Sequence, residues 1–329
     1  MPRAIVTGGA GFIGSHMVDL LVDHGYTVVE IDNLAAGRAE NLAQHRHEPR
    51  VEFHEIDMCA VPADSLLFKD VDHVFHFGGI GDIVPSIERP LEYMRANVNG
   101  TLAMLEASRH AGVRKFVYAA SSSCYGLATE LPTSEQAPIR PEYPYALSKY
   151  LAESAALHWG AVYRLPVISI RMFNVYGPRV RTTGAYGAVF GVFLAQKLHG
   201  KPFTVVGDGT QRRDFVFVTD VARAYLMAAQ SGETNEVFNL GAGDPQPINR
   251  LIELMGGDVV HVPKRPGEPD CTWADISKIQ RALGWKAEVS FPEGVRTMLG
   301  QIDEWRAAPL WTPEKIEAAT RTWFEHLAR

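Results

Sequence analysis

Six short apolar runs recur through the first half of the chain, most of them followed by a longer stretch of mixed polarity. Residues 3–7, 27–31, 51–56, 72–77, 115–119 and 166–172 are rich in Val, Ile and Phe and show little polar alternation. A strand with one wet face alternates, so these runs read as parallel strands covered on both faces. Between them, 12–24, roughly 89–111 and 145–163 carry helical patterns. Parallel neighbours need a crossover, and a helix between strands supplies it. The alternation therefore predicts an α/β fold built on a doubly wound parallel sheet.

The pattern changes after Gly177-Pro178, where glycine, arginine and aromatic residues become frequent and elements shorten. Residues 215–218, 220–229 and 237–240 still read as strand, helix and strand. The expected organisation is a first domain at 1–176, with returning segments at about 214–241, and a smaller C-terminal α/β lobe at 177–329. Thr312 followed by Pro313 predicts a closing helix with a side-chain cap and proline in its first turn. A net charge of -6 argues against a surface that lives on nucleic-acid phosphates. No apolar run reaches the ~18 residues of a membrane span. Three cysteines, at 59, 124 and 271, are too scattered for a disulfide framework. The start of the chain shows no signal-peptide core, and a cytoplasmic protein is expected. His45-Arg46-His47-Glu48 lacks further ligands at metal spacing, so no metal is expected.

Gly8, Gly11 and Gly14 follow the first run and open the first helix. Glycines there let the backbone turn sharply and approach a pyrophosphate at the helix N-terminus. Phe12 and Ile13 lie in that first turn. The second run ends at Asp32-Asn33, where an acid accepts both ribose hydroxyls of an adenosine and repels a 2′-phosphate. NAD is therefore the expected cofactor, although the nearby Arg38 is of the kind that serves a 2′-phosphate. Asp57 and Met58 end the third run, beside the place for an adenine ring. Phe77, Gly78 and Gly79 end the fourth, where small residues leave room at the crevice.

The fifth run leads into Ser121-Ser122-Ser123-Cys124-Tyr125-Gly126. Tyr145 and Lys149 lie four apart, hence on one face of a helix. A phenol titrates near ~10, so a base working at pH 7 must gain about three units, or ~4 kcal/mol. One positive charge ~4 Å away at an effective dielectric near 20 supplies about that much. A nearby serine hydroxyl shares the proton and orients the substrate.

Taken together, these motifs resemble the extended short-chain dehydrogenase/reductase family, with its Rossmann sheet, and within it the nucleotide-sugar epimerases and dehydratases. The resemblance runs from the glycine loop to Trp285 through Arg171-Met172-Phe173-Asn174-Val175-Tyr176-Gly177-Pro178, Gly207-Asp208-Gly209 and Arg213-Asp214-Phe215. It implies that Tyr145 is the acid/base, that Lys149 holds the nicotinamide ribose, and that Ser121 or its neighbours Ser122 and Ser123 assist. It also places Asn97 and Phe173 beside the cofactor. Relatives that dehydrate sugars carry an Asp-Glu pair where this chain has Ser122-Ser123, and decarboxylating relatives carry Glu at the Ser123 position. Their absence favours 4-epimerisation. A 4-dehydrogenase, a 4,6-dehydratase, a decarboxylase and a non-enzymatic NAD sensor are the alternatives.

The resemblance further implies a nucleotide-sugar partner, UDP-linked, with Arg213 and Arg265 on the pyrophosphate, Glu268 on a ribose and Asn174 on the sugar. Ala188 and Val189 fall in a stretch that resembles the uncharged-hexose branch. Thr272 matches a position that gates the hexose pocket, and its small size admits an N-acetyl group. Arg181 matches an arginine of relatives that act on UDP-glucuronate. These two clues conflict at the level of sequence. The family also pairs the helices near 89–111 and 145–163 into a homodimer, and its members serve carbohydrate metabolism and polysaccharide biosynthesis.

Overall fold

A computed structural model describes residues 1–182, 189–265 and 267–327. The first half supplies strands β1 (Arg3–Thr7), β2 (Thr27–Asp32), β3 (Val51–Glu55), β4 (His73–His76), β5 (Lys115–Ser121) and β6 (Val167–Met172). Shorter strands follow: β7 (Asn174–Tyr176), β8 (Phe203–Val206), β9 (Arg212–Arg213) and β10 (Phe215–Phe217). Strand β11 (Glu236–Leu240) then returns to the main sheet, ahead of β12 (Gln246–Pro247) and β13 (Val259–Val262). The main sheet has seven parallel strands in the order β11-β6-β5-β4-β1-β2-β3. The order in which successive strands are added reverses between β1 and β4, which is where open α/β sheets bind ligands.

Alternate side chains on these strands feed two separate cores. Ala4, Val6, Val28, Val117 and Ile168 face helix α1 (Phe12–Asp23) on one side. Ile5, Val29, Val74, Phe116 and Val167 face the other side. There they meet α4 (Gly100–Ala111) and α5 (Pro144–Tyr163); α2 (Ile83–Glu88), α3 (Pro90–Tyr93) and a π turn (Met94–Asn99) lead from β4 into α4 and pack against α5. Helix α6 (Val189–Leu198) belongs to the second half, and α7 (Val218–Gln230) returns to pack beside α1 on the first face. The sheet is thus doubly wound, as its sequence pattern predicts.

Two expectations need correction. The run at 51–56 does not lie between two covered faces: β3 is the sheet edge, and Glu52, Phe53 and Glu55 are exposed. An edge strand has one neighbour and here no helix closes over its outer half. The helix expected at 89–111 begins at Pro90 and is interrupted by the π turn at Met94–Asn99. Such single-turn insertions draw one residue out of helical phase, commonly at functional sites, and Asn97 is the residue turned inward, at 1% exposure.

The second half has its own aromatic core. Tyr176 stacks on Phe190 with ring centres 4.6 Å apart, and Phe215 stacks on Phe291 at 5.1 Å. Helices α8 (Ile248–Met255) and α10 (Phe291–Gly300) complete it, whereas α9 (Ser277–Leu283) packs onto the first-face core beside β11 and α11 (Pro313–Leu327) packs against α2. The Thr312 hydroxyl accepts from Lys315 N at 3.4 Å, the cap expected for α11.

One residue breaks the pattern of apolar strands. Glu30 on β2 is fully buried and neither carboxylate oxygen has a hydrogen-bond partner. Burial, with Asp32 and Asp19 nearby, pushes its carboxyl up to about 8. A carboxyl raised in the folded state holds a proton that the unfolded chain releases above its ordinary ~4.5. Stability therefore falls as pH rises from about 4.5 to about 8. Replacing Glu30 with Gln should flatten that pH dependence and stabilise the protein at pH 8 by on the order of 1–3 kcal/mol. Thermal unfolding of both proteins between pH 5 and pH 8 checks this; parallel curves would refute it.

Candidate active site

The glycine loop is built at the switch point itself. Gly8 adopts φ +69° and donates its N–H to Ile31 O at 2.8 Å. A Cβ on Gly8 would lie 2.9 Å from Gly78 N, and one on Gly14 would lie 2.1 Å from Gly8 O. One on Gly11 would meet that same carbonyl at 2.9 Å. These contacts leave the first turn of α1 bare, with unpaired N–H groups able to face an anion. Phe12 and Ile13 contribute backbone there, since their side chains pack into the core of the second half.

Asp32 stands at the end of β2, 8% exposed. Its Oδ2 accepts from Ala10 N at 3.1 Å and its Oδ1 from Leu34 N at 2.8 Å. The carboxylate is thereby fixed beside the loop, with lone pairs left for hydroxyls. Asn33 is exposed, and its carboxamide oxygen accepts from Ala35 N. Arg38 turns toward Asn41, at 3.1 Å. Asp57 is held by Arg95 at 2.7 Å, and Met58 packs against the Cα positions of Gly78 and Gly100. Phe77 lies over Tyr225, with ring centres 4.6 Å apart.

A directed hydrogen-bond chain rigidifies this crevice. Gly78 N donates to Thr7 Oγ1, whose hydroxyl lies 2.7 Å from His76 Nδ1. His76 Nε2 lies 2.8 Å from Thr101 Oγ1, which donates to Asn97 O. Burial pushes the imidazole down to about 3, so it is neutral. The chain of donors then assigns the proton to Nε2. Asn97 clamps the adjacent loop from both sides: its Oδ1 accepts from Ile80 N at 2.8 Å and its Nδ2 donates to Ile80 O at 3.0 Å. The same amide donates to Ser148 Oγ on α5 at 2.8 Å. Asn97 thus positions the crevice from behind.

Helix α5 presents Tyr145, Lys149 and Glu153 at four-residue spacing, with Pro144 in its first turn. Tyr145 faces Ser121 at the end of β5, close enough for the serine to pull its phenol down. Ser121 Oγ lies 2.8 Å from Ser123 Oγ, and Ser123 acts in the same way on Tyr143. Four hydroxyls are thus gathered around the Ser121–Ser123 bond, and Ser122 is not one of them. Burial pushes the Tyr145 phenol above its ordinary value, Ser121 pulls it down, and the Asp82 carboxylate pushes it up again. The Lys149 ammonium lies 4.6 Å from the centre of the Tyr118 ring. Burial pushes that ammonium down to about 7, and Glu153 works to hold it up.

The tight loop at Gly8, Gly11, Gly14 and Gly78, where an added Cβ would collide with neighbouring protein atoms, the fixed Asp32 carboxylate and the buried Lys149 fit a dinucleotide. The family model for the NAD-dependent epimerase/dehydratase family matches residues 4–241. The chain belongs to the NAD-dependent epimerase/dehydratase family. The UDP-glucose 4-epimerase of Mycolicibacterium smegmatis is 36% identical over 303 residues, covering 89% of this chain and 96% of that one. A UDP-N-acetylglucosamine 4-epimerase from Methanobrevibacter ruminantium M1, solved with UDP-N-acetylmuramic acid, superposes with a TM-score of 0.86. It is 32% identical, covering 93% of this chain and 98% of that one. The UDP-glucuronic acid 4-epimerase of Bacillus cereus, solved with UDP-glucuronic acid and NAD, has a TM-score of 0.85 at 30% identity, covering 92% and 99%.

In this member of the epimerase/dehydratase family, several residues expected on the substrate side lie in contact with one another. Arg213 donates to Glu268 Oε1 at 2.8 Å, and Arg265 lies 3.6 Å from Glu268 Oε2. Glu268 therefore sits between the two arginines and does not stand alone for a ribose. Arg213 and Glu268 line a cavity of about 340 Å³ with Gly207, Gln211 and Lys264. Thr272 Oγ1 donates to Asn174 Oδ1 at 2.7 Å and accepts from Asp214 N at 3.3 Å, so its hydroxyl joins two strands. Phe173 is buried with its N–H on Leu240 O. Val189 begins α6 and packs into the second core; Ala188 lies outside the described residues. Arg181 lies 4.0 Å from Asp82.

Several residues with evident roles escaped the sequence reading. Asp214 is fully buried and accepts from Ala242, Gly243 and Ala274 N–H groups, tying β9 and β10 to two loops. An acid at the mouth of the apolar run Phe215-Val216-Phe217 was the available signal. Glu153 binds Arg171 at 2.5 Å and Ser169 at 2.8 Å, and Arg171 also donates to Tyr125. The signal was a Glu on the alanine-rich face of α5. Asp82 gave none, since nothing in its neighbourhood marks it as close to Tyr145.

Proposed function

We infer that this chain is a nucleotide-sugar 4-epimerase that uses NAD, with Tyr145 as the acid/base. The observation that carries the reading is the placement of Tyr145 against Ser121, in a run that offers hydroxyls, not acids, at Ser122 and Ser123. Bound NAD supplies the acceptor and donor of hydride at the sugar C4. Tyr145 holds the C4 hydroxyl proton as it leaves and returns, and Ser121 orients that oxygen. Lys149 binds the cofactor ribose. The glycine loop and Asp32 hold the adenosine half, on residues 1–176 with 214–241, and the sugar nucleotide lies against 177–329. Arg213 and Arg265, with Glu268 between them, meet the pyrophosphate and a ribose, and Asn174 meets the sugar. The relatives act on UDP-linked hexoses and hexuronates, which supports a UDP-sugar substrate.

Product NMR after incubation with UDP, GDP and dTDP sugars tests the reading. The expected result is an equilibrium between C4 epimers with no net reduction of NAD. A released 4-keto product, with or without loss of the C6 oxygen, would assign dehydrogenase or dehydratase chemistry instead.

The same reading gives a cytoplasmic homodimer. No helix among the described residues is long and apolar enough to cross a membrane, and all three cysteines are free. Leu91 on α3 is 82% exposed, and Leu147 and Leu151 on α5 are exposed beside it in the order of the helices. Apolar residues on these two helices suit pairing with a second copy. Light scattering should report the dimer mass at micromolar protein; a monomer would overturn it.

A further inference from the structure

The family contains enzymes for neutral and for carboxylated sugars, so membership leaves the sugar's charge open. The chain itself carries a feature that bears on it. Asp82 precedes α2, in the loop that leaves β4, and Arg181 follows β7. They come from opposite halves of the molecule, and Asp82 Oδ2 lies 4.0 Å from Arg181 Nη1. The pair is half-exposed, with side chains 42% and 44% accessible, so it lines open space and is not part of a core.

That open space adjoins the reacting tyrosine. Tyr93 lies close enough to Asp82 for the two to act on each other, and the Tyr93 ring packs edge-on to the Tyr145 ring at 6.5 Å. Tyr93 is 2% exposed, which fixes the loop in place. The Asp82 carboxylate is close enough to push the Tyr145 phenol up. Arg89 also acts on Asp82, but it is paired with Glu92 at 2.8 Å. Asp82, Arg181, Arg89 and Glu92 therefore sum to zero charge beside the place where the sugar C4 must lie.

Arg181 alone would be a receptor for a sugar carboxylate, by a charge-assisted bond. With Asp82 opposite, that role is already taken. A hexuronate would add an uncompensated negative charge next to Asp82, and like charges at a partly desolvated contact are disfavoured. A neutral hexose, plain or N-acetylated, meets no such opposition and finds hydroxyl partners in both groups. We propose that Asp82 is a charge filter: it occupies Arg181 and turns the site toward neutral UDP-hexoses and away from UDP-hexuronates. The proposal rests on the nucleotide-sugar epimerase reading of this site, and it deepens that reading by naming the substrate class.

Equilibrium binding to the NAD-loaded protein tests it without requiring turnover. The probes are UDP, UDP-glucose and UDP-glucuronate, and the variants are Asp82→Asn and Asp82→Asn with Arg181→Ala. Asp82 makes no side-chain cap to α2, so Asn leaves the helix start intact. The native protein should bind UDP-glucose more tightly than UDP-glucuronate. Asp82→Asn should tighten UDP-glucuronate about tenfold and leave UDP-glucose within about twofold. Adding Arg181→Ala should remove that gain. A native preference for UDP-glucuronate, or an unchanged ratio in Asp82→Asn, overturns the filter while leaving the epimerase reading standing. No binding of UDP to the native protein overturns the nucleotide-sugar reading, and the filter with it.

Discussion

Replacing Tyr145 with Phe lowers turnover by roughly a thousandfold and leaves NAD in the protein. The phenol is the only part of this side chain with a proton to move, and Ser121 at the end of β5 pulls its pKa down. A positioned general acid–base group contributes about 10²–10⁴-fold. The ring carries a separate job, since Tyr145 stacks against Tyr143 with centres 6.4 Å apart and meets Tyr93 edge-on. Phe keeps that packing, so the fold and the cofactor cradle at Gly8, Gly11 and Gly14 are untouched. Steady-state rates and the NAD content of denatured protein measure the two halves of the expectation. A loss under tenfold would move the proton chemistry elsewhere, to Tyr143 beside Ser123 or to Asp82.

The phenol must also be made easier to ionise than it is in this chain, where burial raises it. At the level of sequence, that effect could come from Lys149, one helical turn away, and from an oxidised nicotinamide together. The structure puts that ammonium over the Tyr118 ring and burial weakens its charge. Lys149 needs a counter-charge of its own to remain a cation, and Glu153, one further turn along α5, provides it.

What was legible in the sequence follows from the range of the interactions. The runs that became β1, β2, β4, β5 and β6 could be read because parallel strands buried on both faces are mostly apolar and lack a polar alternation. The glycine loop could be read because its constraint is local: Gly14 must lack a Cβ on account of Gly8, six residues away. Tyr145 and Lys149 share a face by helical geometry alone. The unread features join residues far apart in sequence. Thr7 and His76 are 69 residues apart, Arg213 and Glu268 are 55 apart, and Asn174 and Thr272 are 98 apart. No periodicity links such pairs; topology brings them together. The exposed face of β3 went unread for a related reason, since the order of strands decides which run becomes an edge. Glu30 conflicts with its strand pattern and is the kind of local exception that a pattern-based reading passes over.

The buried ion pair beneath the site gives the largest stability effect. Glu153 and Arg171 are 2% and 6% accessible, and the carboxylate also receives Ser169. Arg171 in turn holds Tyr125, whose hydroxyl donates to Asn239 on β11. Removing Glu153 strands one buried cation outright and exposes a second, Lys149, to the full cost of burial. Breaking one partner of a buried pair costs about 3–5 kcal/mol, so Glu153→Ala should unfold at a markedly lower temperature. Replacing both partners by apolar residues of similar size removes the uncompensated charge, so Glu153→Leu with Arg171→Met should regain most of the lost stability. Glu153→Gln separates packing from charge. It keeps the shape and much of the hydrogen bonding, but Lys149 loses the group that holds its charge, and its ammonium should deprotonate at lower pH. The expected signature is a loss of NAD affinity that begins at lower pH than in the native protein and grows as pH rises. Denaturant unfolding and NAD titration from pH 6 to pH 9 measure both effects. If Glu153→Gln changes stability but leaves the pH dependence of NAD binding where it was, Glu153 is only a packing partner of Arg171 and Lys149 keeps its charge by other means.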